Sequence, residues 1–217
     1  MKYVRFRYTL MIPLFFLTLT IFSQSTLAHD NGAVGDRDHV NAADYESGSR
    51  GDLPPEADEL NHQRYEILGE KDGLKAWLIR YDEHFYRGGE LKSIDGARSL
   101  AKLGIKTVVA MTSADKEREW LASQGINTVD LSFTKNAELG KQQLRQIAEM
   151  MSSLPSPFYI HCVGGTQRAG ILGIIYRLSQ GWDPDQALLE FAYLGGSLKA
   201  NDKTIKSVLQ AFASAPE

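Results

Sequence analysis

Cysteine is nearly missing from this chain: Cys162 is the only one among 217 residues. No internal disulfide can form, and no metal site built on a pair of thiolates can exist. Histidines are few as well, and His29, His39, His62 and His84 show no metal-ligand spacing. A strong charge of one sign is also lacking. With 24 Lys and Arg against 27 Asp and Glu, the net charge is −3, so no global basic field draws nucleic acid. No zinc-finger-like or other nucleic-acid module is visible, and no internal repeat. What remains is an ordinary globular composition, 43% apolar, of a size that suggests one domain with some extra sequence.

The longest apolar run stands at the N-terminus. Lys2, Arg5 and Arg7 give a positive start, Leu10 to Phe22 is almost wholly apolar, and Thr26-Leu27-Ala28 offers small residues for cleavage. That is the layout of a secretory signal peptide over residues 1–28. The run is short for a membrane span, which needs about 20 residues, so an uncleaved anchor is the lesser alternative. The expected location is secreted or periplasmic, with no stable membrane association after cleavage. Exported proteins normally spend cysteine on disulfides. A lone thiol is either a buried apolar residue or, inside a suitable loop, a nucleophile.

Residues 29–62 are polar and rich in Asp, Glu, Gly and Asn, with Pro54-Pro55 near the end. They read as a flexible acidic lead-in, followed by a folded domain over residues 63–217. Short strands are expected at Leu74–Ile79 and Phe85–Arg87, and a helix from Ser93-Ile94-Asp95 to Gly104. The β-branched run Ile105–Met111 reads as a buried strand. A helix over Ala114–Ser123, a strand over Ile126–Phe133, a helix over Leu139–Met151 and a strand over Pro157–His161 follow. Helices at Ala169–Leu178, Asp183–Ala192 and Lys203–Phe212 complete the chain. Strands alternating with helices predict an α/β fold, with a central mainly parallel sheet flanked by helices.

The lone cysteine falls where the Pro157–His161 strand meets the Ala169–Leu178 helix. At such a turn the backbone N–H groups of the loop and of the first helical turn converge, and the helix dipole adds positive potential. Gly164 and Gly165 let the backbone curl without blocking the cradle. Arg168 supplies a guanidinium able to hold two phosphate oxygens. Cys162 at the same centre is placed for in-line attack as a thiolate. Val163, Gly164, Gly165, Thr166, Gln167 and Arg168 are the expected phosphate-binding residues, and Cys162 and Arg168 the expected catalytic ones.

The run His161-Cys162-Val163-Gly164-Gly165-Thr166-Gln167-Arg168 resembles the HCxxGxxR signature of the protein tyrosine phosphatase superfamily. Phe85-Tyr86-Arg87-Gly88-Gly89-Glu90 and Leu103-Gly104-Ile105-Lys106-Thr107-Val108-Val109 are similar to segments of its bacterial dual-specificity-like branch. The resemblance spans about Tyr65 to Phe212. It implies the cysteine-phosphatase fold and a two-step reaction through a phosphocysteine, with no metal and no cofactor. It also implies a phosphorylated protein or small phosphomonoester as substrate. A general acid is implied on a loop some thirty residues before the cysteine. Asp130 stands at about that distance, with Glu138 as the second candidate. Ala169 departs from the family, which usually has Ser or Thr directly after the arginine to hydrogen-bond the leaving sulfur. The uncharged loop side chains weaken the case for highly phosphorylated inositides.

Two other functions are carried as alternatives. One is a catalytically weak, phosphate-binding pseudophosphatase, motivated by Ala169. The other is a rhodanese-like sulfurtransferase, which also places a cysteine and an arginine near a helix start. His161 is expected to orient the loop backbone. Arg87 is left open between a contact to that loop and a surface ion pair. Trp77, Trp120 and Trp182 are read as packing residues, and Tyr193-Leu194-Gly195-Gly196 as a helix end.

Overall fold

Among the described residues the sheet has six strands: β1 (Glu66–Glu70), β2 (Trp77–Arg80), β3 (Phe85–Gly89), β4 (Thr107–Ala110), β5 (Asn127–Asp130) and β6 (Phe158–Cys162). Their order is β1-β2-β3-β6-β4-β5. The four strands β3, β6, β4 and β5 are mutually parallel, and β2 and β1 extend the β3 edge antiparallel. The computed structural model describes Leu53, residues 55–112 and residues 115–213. The expected signal segment and most of the expected lead-in lie outside the described residues.

Among the described residues six helices flank the sheet: α1 (Ile94–Lys102), α2 (Asp115–Ser123), α3 (Lys141–Ser153), α4 (Arg168–Ser179), α5 (Pro184–Tyr193) and α6 (Asp202–Ala213). Every residue of β4 and β6 is buried, which is why these strands read as continuous apolar runs rather than alternating ones. Side chains still alternate between the two faces. Val108 and Tyr159 join Ala97 and Leu100 of α1 and Leu121 of α2 in one core. Val109, Phe158 and Ile160 join Leu144 and Ile147 of α3, Ile171 and Ile175 of α4, Phe191 of α5 and Val208 of α6 in the other. Local chemistry agrees with these elements. Ser93 caps α1 by accepting from the Asp95 N–H, and Asp183 with Pro184 opens α5.

Three readings are revised by the structure. The sheet is mainly parallel as expected, but two antiparallel strands extend one edge, and of these β1 was not foreseen. Its residues are half-buried on an edge, so the apolar signal is thin. Its register slips between Ile67 and Gly69, and Glu66 pairs with Arg80 across the strands, a charged and irregular edge of the kind that discourages further pairing. The strand expected at Leu74–Ile79 begins only at Trp77, because Ala76 sits at φ 60 and breaks the extended run. Part of the expected lead-in is packed: Pro55–Asp58 forms a 3-10 turn, Ala57 is buried in the core, and the Tyr65 hydroxyl donates to its carbonyl at 2.7 Å. The folded body therefore starts before residue 63.

Candidate active site

β6 lies in the middle of the sheet, with Cys162 opposite Gly89 of β3 and His161 opposite Ala110 of β4. Cys162 is thus buried at the carboxyl end of the parallel strands, where ligands of open α/β sheets collect. After five residues the chain enters α4 at Arg168. Gln167, in the cap position of α4, makes no side-chain cap bond. The first-turn N–H groups of a helix have no intrahelical partner, so an uncapped start beside a thiol leaves donors that an anion could meet.

The loop is fitted to the neighbouring strand. Gly165 has φ 73, and a Cβ there would stand 2.4 Å from the Gly88 carbonyl carbon and 2.5 Å from its oxygen, so only glycine fits. Gly164 is different: its backbone is ordinary, and a Cβ would meet only Thr166 Oγ1 at 4.0 Å. Of the two glycines expected to be needed, one is. Val163 accepts from the Glu90 N–H at 3.4 Å and turns its side chain outward, 40% exposed. Thr166 is half-buried, and its methyl would lie 3.1 Å from a Cβ on Gly195.

The Gln167 side chain is held away from the cradle. Its Nε2 donates to the Gly195 carbonyl at 3.1 Å, and its Oε1 accepts from the Ser197 N–H at 3.0 Å and from Asn201 Nδ2 at 2.6 Å. Only its backbone remains for a phosphate. Arg168 is half-buried, and Nη1 donates to the Met111 carbonyl at the end of β4, at 3.2 Å. This uses one of its five N–H donors.

The family model described as "Swiss Army Knife protein, DSP-PTPase phosphatase domain" matches residues 88–211, more than half of the chain and the whole of this site. The chain belongs to this dual-specificity-like family of protein tyrosine phosphatases. It is 30% identical over 121 residues to the dual specificity protein phosphatase TpbA of Pseudomonas aeruginosa strain UCBPP-PA14, covering 55% of this chain and 54% of that one. The chain therefore spans about half the length of that relative. The crystal structure of P. aeruginosa TpbA in complex with phosphotyrosine superposes with a TM-score of 0.52 at 23% identity, over 64% of this chain and 91% of the other. A DUF442 protein from Shewanella putrefaciens CN-32 gives 0.51 at 18%, over 67% and 94%. These two likenesses speak for the fold alone. The family match removes the reason for a rhodanese-like reading.

Within this phosphatase domain the remaining residues fall as follows. His161 is completely buried, and its Nε2 lies 2.5 Å from Glu117 Oε1, although the alignment is not that of a regular hydrogen bond. Its ring stacks on Tyr159 at 5.8 Å. Its Nδ1 has no hydrogen-bond partner among the described residues, and the ring lies against Glu117 of α2 rather than bonding the loop backbone it was expected to orient. Burial, then the charges of Glu117 and Cys162, keep the Tyr159 phenol well above its ordinary range. It stays a donor, to the Gly89 carbonyl at 2.6 Å.

Asp130 ends β5, two strands from β6. Arg118 Nη2 donates to both its carboxylate oxygens, at 2.8 and 2.7 Å. Glu138 is exposed on the loop that follows. Ala169 is completely buried in the first turn of α4. Arg87 is neither a surface residue nor seen bonding the loop. It is completely buried, donates Nη2 to the Leu194 carbonyl at 3.1 Å, and lies over the Trp77 and Tyr81 rings.

Sequence reasoning missed Glu117, the Gln167–Asn201 tether and the buried pair of Arg177 with Glu190, 3.1 Å apart. One signal was present for Glu117: it stands four residues before Leu121, on the same helical face as that buried leucine. The other two depend on chain segments brought together from far apart. Among the described residues, no cluster of His, Cys, Asp and Glu could hold a metal ion.

Proposed function

We propose that this chain is a cysteine-dependent phosphatase that hydrolyses phosphotyrosine or related phosphomonoesters through a phosphocysteine at Cys162. The observation that carries the reading is the placement of Cys162 at the end of β6, facing the uncapped start of α4 with Arg168 beside it. The loop N–H groups bind three phosphate oxygens, and Arg168 clamps two of them. The thiolate sulfur forms the S–P bond as the P–O bond to the leaving group breaks. A carboxylic acid protonates the departing oxygen, and water then attacks phosphorus and returns the thiolate. TpbA, solved with phosphotyrosine, supports the choice of an aryl phosphate as first substrate.

Asp130 is the acid in this proposal, and Glu138 the alternative. Arg118 holds both Asp130 oxygens, so proton donation requires that pair to open. The purified protein should hydrolyse an aryl phosphate, vanadate should inhibit it, and Cys162→Ser should abolish turnover. Activity that survives the substitution, or ignores vanadate, contradicts the reading.

A second reading, a phosphate-binding domain with little turnover, draws on buried Ala169 and the occupied Asp130. Phosphopeptide binding without hydrolysis, even in Ala169→Ser, would favour it. Export of the protein, with cleavage near Ala28, is part of the proposal and rests on the sequence of residues 1–28. The mass of the protein recovered from the cell envelope or medium tests it. Among the described residues no helix is long and apolar enough to cross a membrane.

A further inference from the structure

The phosphate loop and the segment that carries both acid candidates are tied to one short stretch of helix. The 3-10 turn Lys199–Asn201 runs directly into α6 at Asp202. Asn201 is buried, and its Nδ2 donates at 2.6 Å to Oε1 of Gln167, the residue before Arg168. Three and six residues further on, the same side of the helix holds the segment between β5 and α3. The completely buried Thr204 donates through Oγ1 to the Ala137 carbonyl at 2.7 Å, and Ser207 Oγ accepts from the Leu139 N–H at 3.3 Å. In return Asn136 Oδ1 accepts from the Lys203 N–H at 2.8 Å. The segment thus satisfies a first-turn donor of the helix that holds it.

Asp130, the last residue of β5, is the root of this segment. Glu138 lies within it, between the tied residues Ala137 and Leu139. Phe133 and Leu139 are buried in the core and would keep the segment on the fold without any polar tie. The hydrogen bonds add a register. From Asn201 to Ser207 is about 9 Å of helix, a fixed spacing between the neighbour of the phosphate clamp and the neighbours of Glu138. Asn136 stands at φ 56, a left-handed backbone that asparagine tolerates better than most residues, which aims its amide at α6.

We propose that Thr204 is a positioning residue of this phosphatase: it holds the acid-bearing segment in register with the phosphate loop, so that the leaving oxygen meets its proton. The inference rests on the phosphatase reading. The hydroxyl touches no substrate and moves no proton. It acts through the carboxyl that the segment carries. A threonine that merely anchored α6 would cost stability when changed and would slow every substrate alike.

Thr204→Val keeps the shape and removes the hydroxyl. On phenyl phosphate, a poor leaving group, kcat should fall about tenfold. On p-nitrophenyl phosphate, whose leaving group needs little help, kcat should stay within about twofold of the wild type, as should vanadate inhibition. Thr204→Ser, which keeps the hydroxyl, should restore the rate on phenyl phosphate. Built into Asp130→Asn and into Glu138→Gln, Thr204→Val should lose its effect in the variant that has already lost the acid. Equal losses on both substrates overturn the proposal. So do a parallel loss of vanadate affinity, no rescue by Thr204→Ser, or an effect that persists in both double variants.

If Thr204→Val does not fold, Asn136→Gly decides, since glycine accepts the left-handed backbone and the bond to Lys203 is lost. A loss confined to phenyl phosphate supports the proposal, and an unchanged ratio of the two rates overturns it. Failure of the phosphatase reading shows separately, as hydrolysis of neither substrate by the wild type.

Discussion

Ala169 sets the pace that the proposed chemistry can reach. A hydroxyl at this position would donate to the departing sulfur in the second step, and a hydrogen bond to a charged group contributes about 1.5–3 kcal/mol. That corresponds to roughly tenfold or more in rate. Ala169→Ser should therefore speed turnover of an aryl phosphate about tenfold, with a pre-steady-state burst in the wild type that shrinks in the variant. Ala169 is completely buried, so the added oxygen has little room other than toward the loop.

Asp130 presents the other decision at this scale. If it donates the proton, Asp130→Asn should lower turnover of a poor-leaving-group phosphomonoester roughly 100-fold, and touch p-nitrophenyl phosphate far less. Equal losses on both substrates would report the Arg118 clamp on α2 instead, and would pass the acid role to Glu138.

The loop and the start of α4 behave as one element, fastened on two sides. On one side Gly165 lies against Gly88. Gly165→Ala would force a side chain into a left-handed backbone and against a carbonyl. Strain of this kind costs about 1–3 kcal/mol, so the melting temperature should fall and vanadate affinity should drop with it. On the other side Gln167 is tied to Gly195, Ser197 and Asn201. Gln167→Ala leaves the buried Asn201 amide without one acceptor, at a cost of about 1–3 kcal/mol. It should loosen the α5–α6 connection, visible as faster hydrogen exchange across residues 194–201. The loop N–H groups are not removed, so phosphate binding should weaken less than in Gly165→Ala.

Across the whole molecule, the side of the sheet that carries α4 holds an unusual amount of buried polarity. Arg177 bonds Glu190 through Nε and Nη2, both at 3.1 Å, and Arg87 lies between Trp77 and Tyr81. Burial first raises the Glu190 carboxyl, with Arg177 opposing it. Breaking a buried pair by removing one partner costs about 3–5 kcal/mol, and Arg177→Met should show a loss of this size in urea.

The tyrosines give a pH signature. Burial pushes Tyr81 up to about 12, and Tyr65, Tyr159 and Tyr176 also lie above their ordinary value. A group raised in the folded state stabilises fully below its unfolded value and loses that contribution as pH climbs through the folded one. Stability should therefore fall from about pH 10, the unfolded tyrosine value, through about 12 for Tyr81. The tyrosinate absorbance of these four buried rings should appear together with loss of dichroism rather than before it.

Those same distant contacts separate what sequence settled from what the tertiary structure decided. The buried strands β4 and β6, the helices with their Ser93 and Asp183 caps, and the loop from Cys162 to Arg168 were legible because their signals are local: apolar runs, cap residues and a fixed motif spacing. β1 was not legible, since a half-buried edge strand carries little pattern. Nor was the partner of any buried polar group. Asp130 reads from the chain as a free acid, yet it is clamped by Arg118, twelve residues away. Gln167 reads as part of the phosphate cradle, but its amide is spent on residues about thirty positions further on. Glu117 drew no reading from the chain, yet it is buried against His161, the nucleophile's neighbour. Sequence determined that a thiol, a cradle and a guanidinium would meet, because neighbours in the chain cannot avoid each other. Which charges surround them was decided only by packing, because a polar group buried by folding must take whatever partner the opposing element brings.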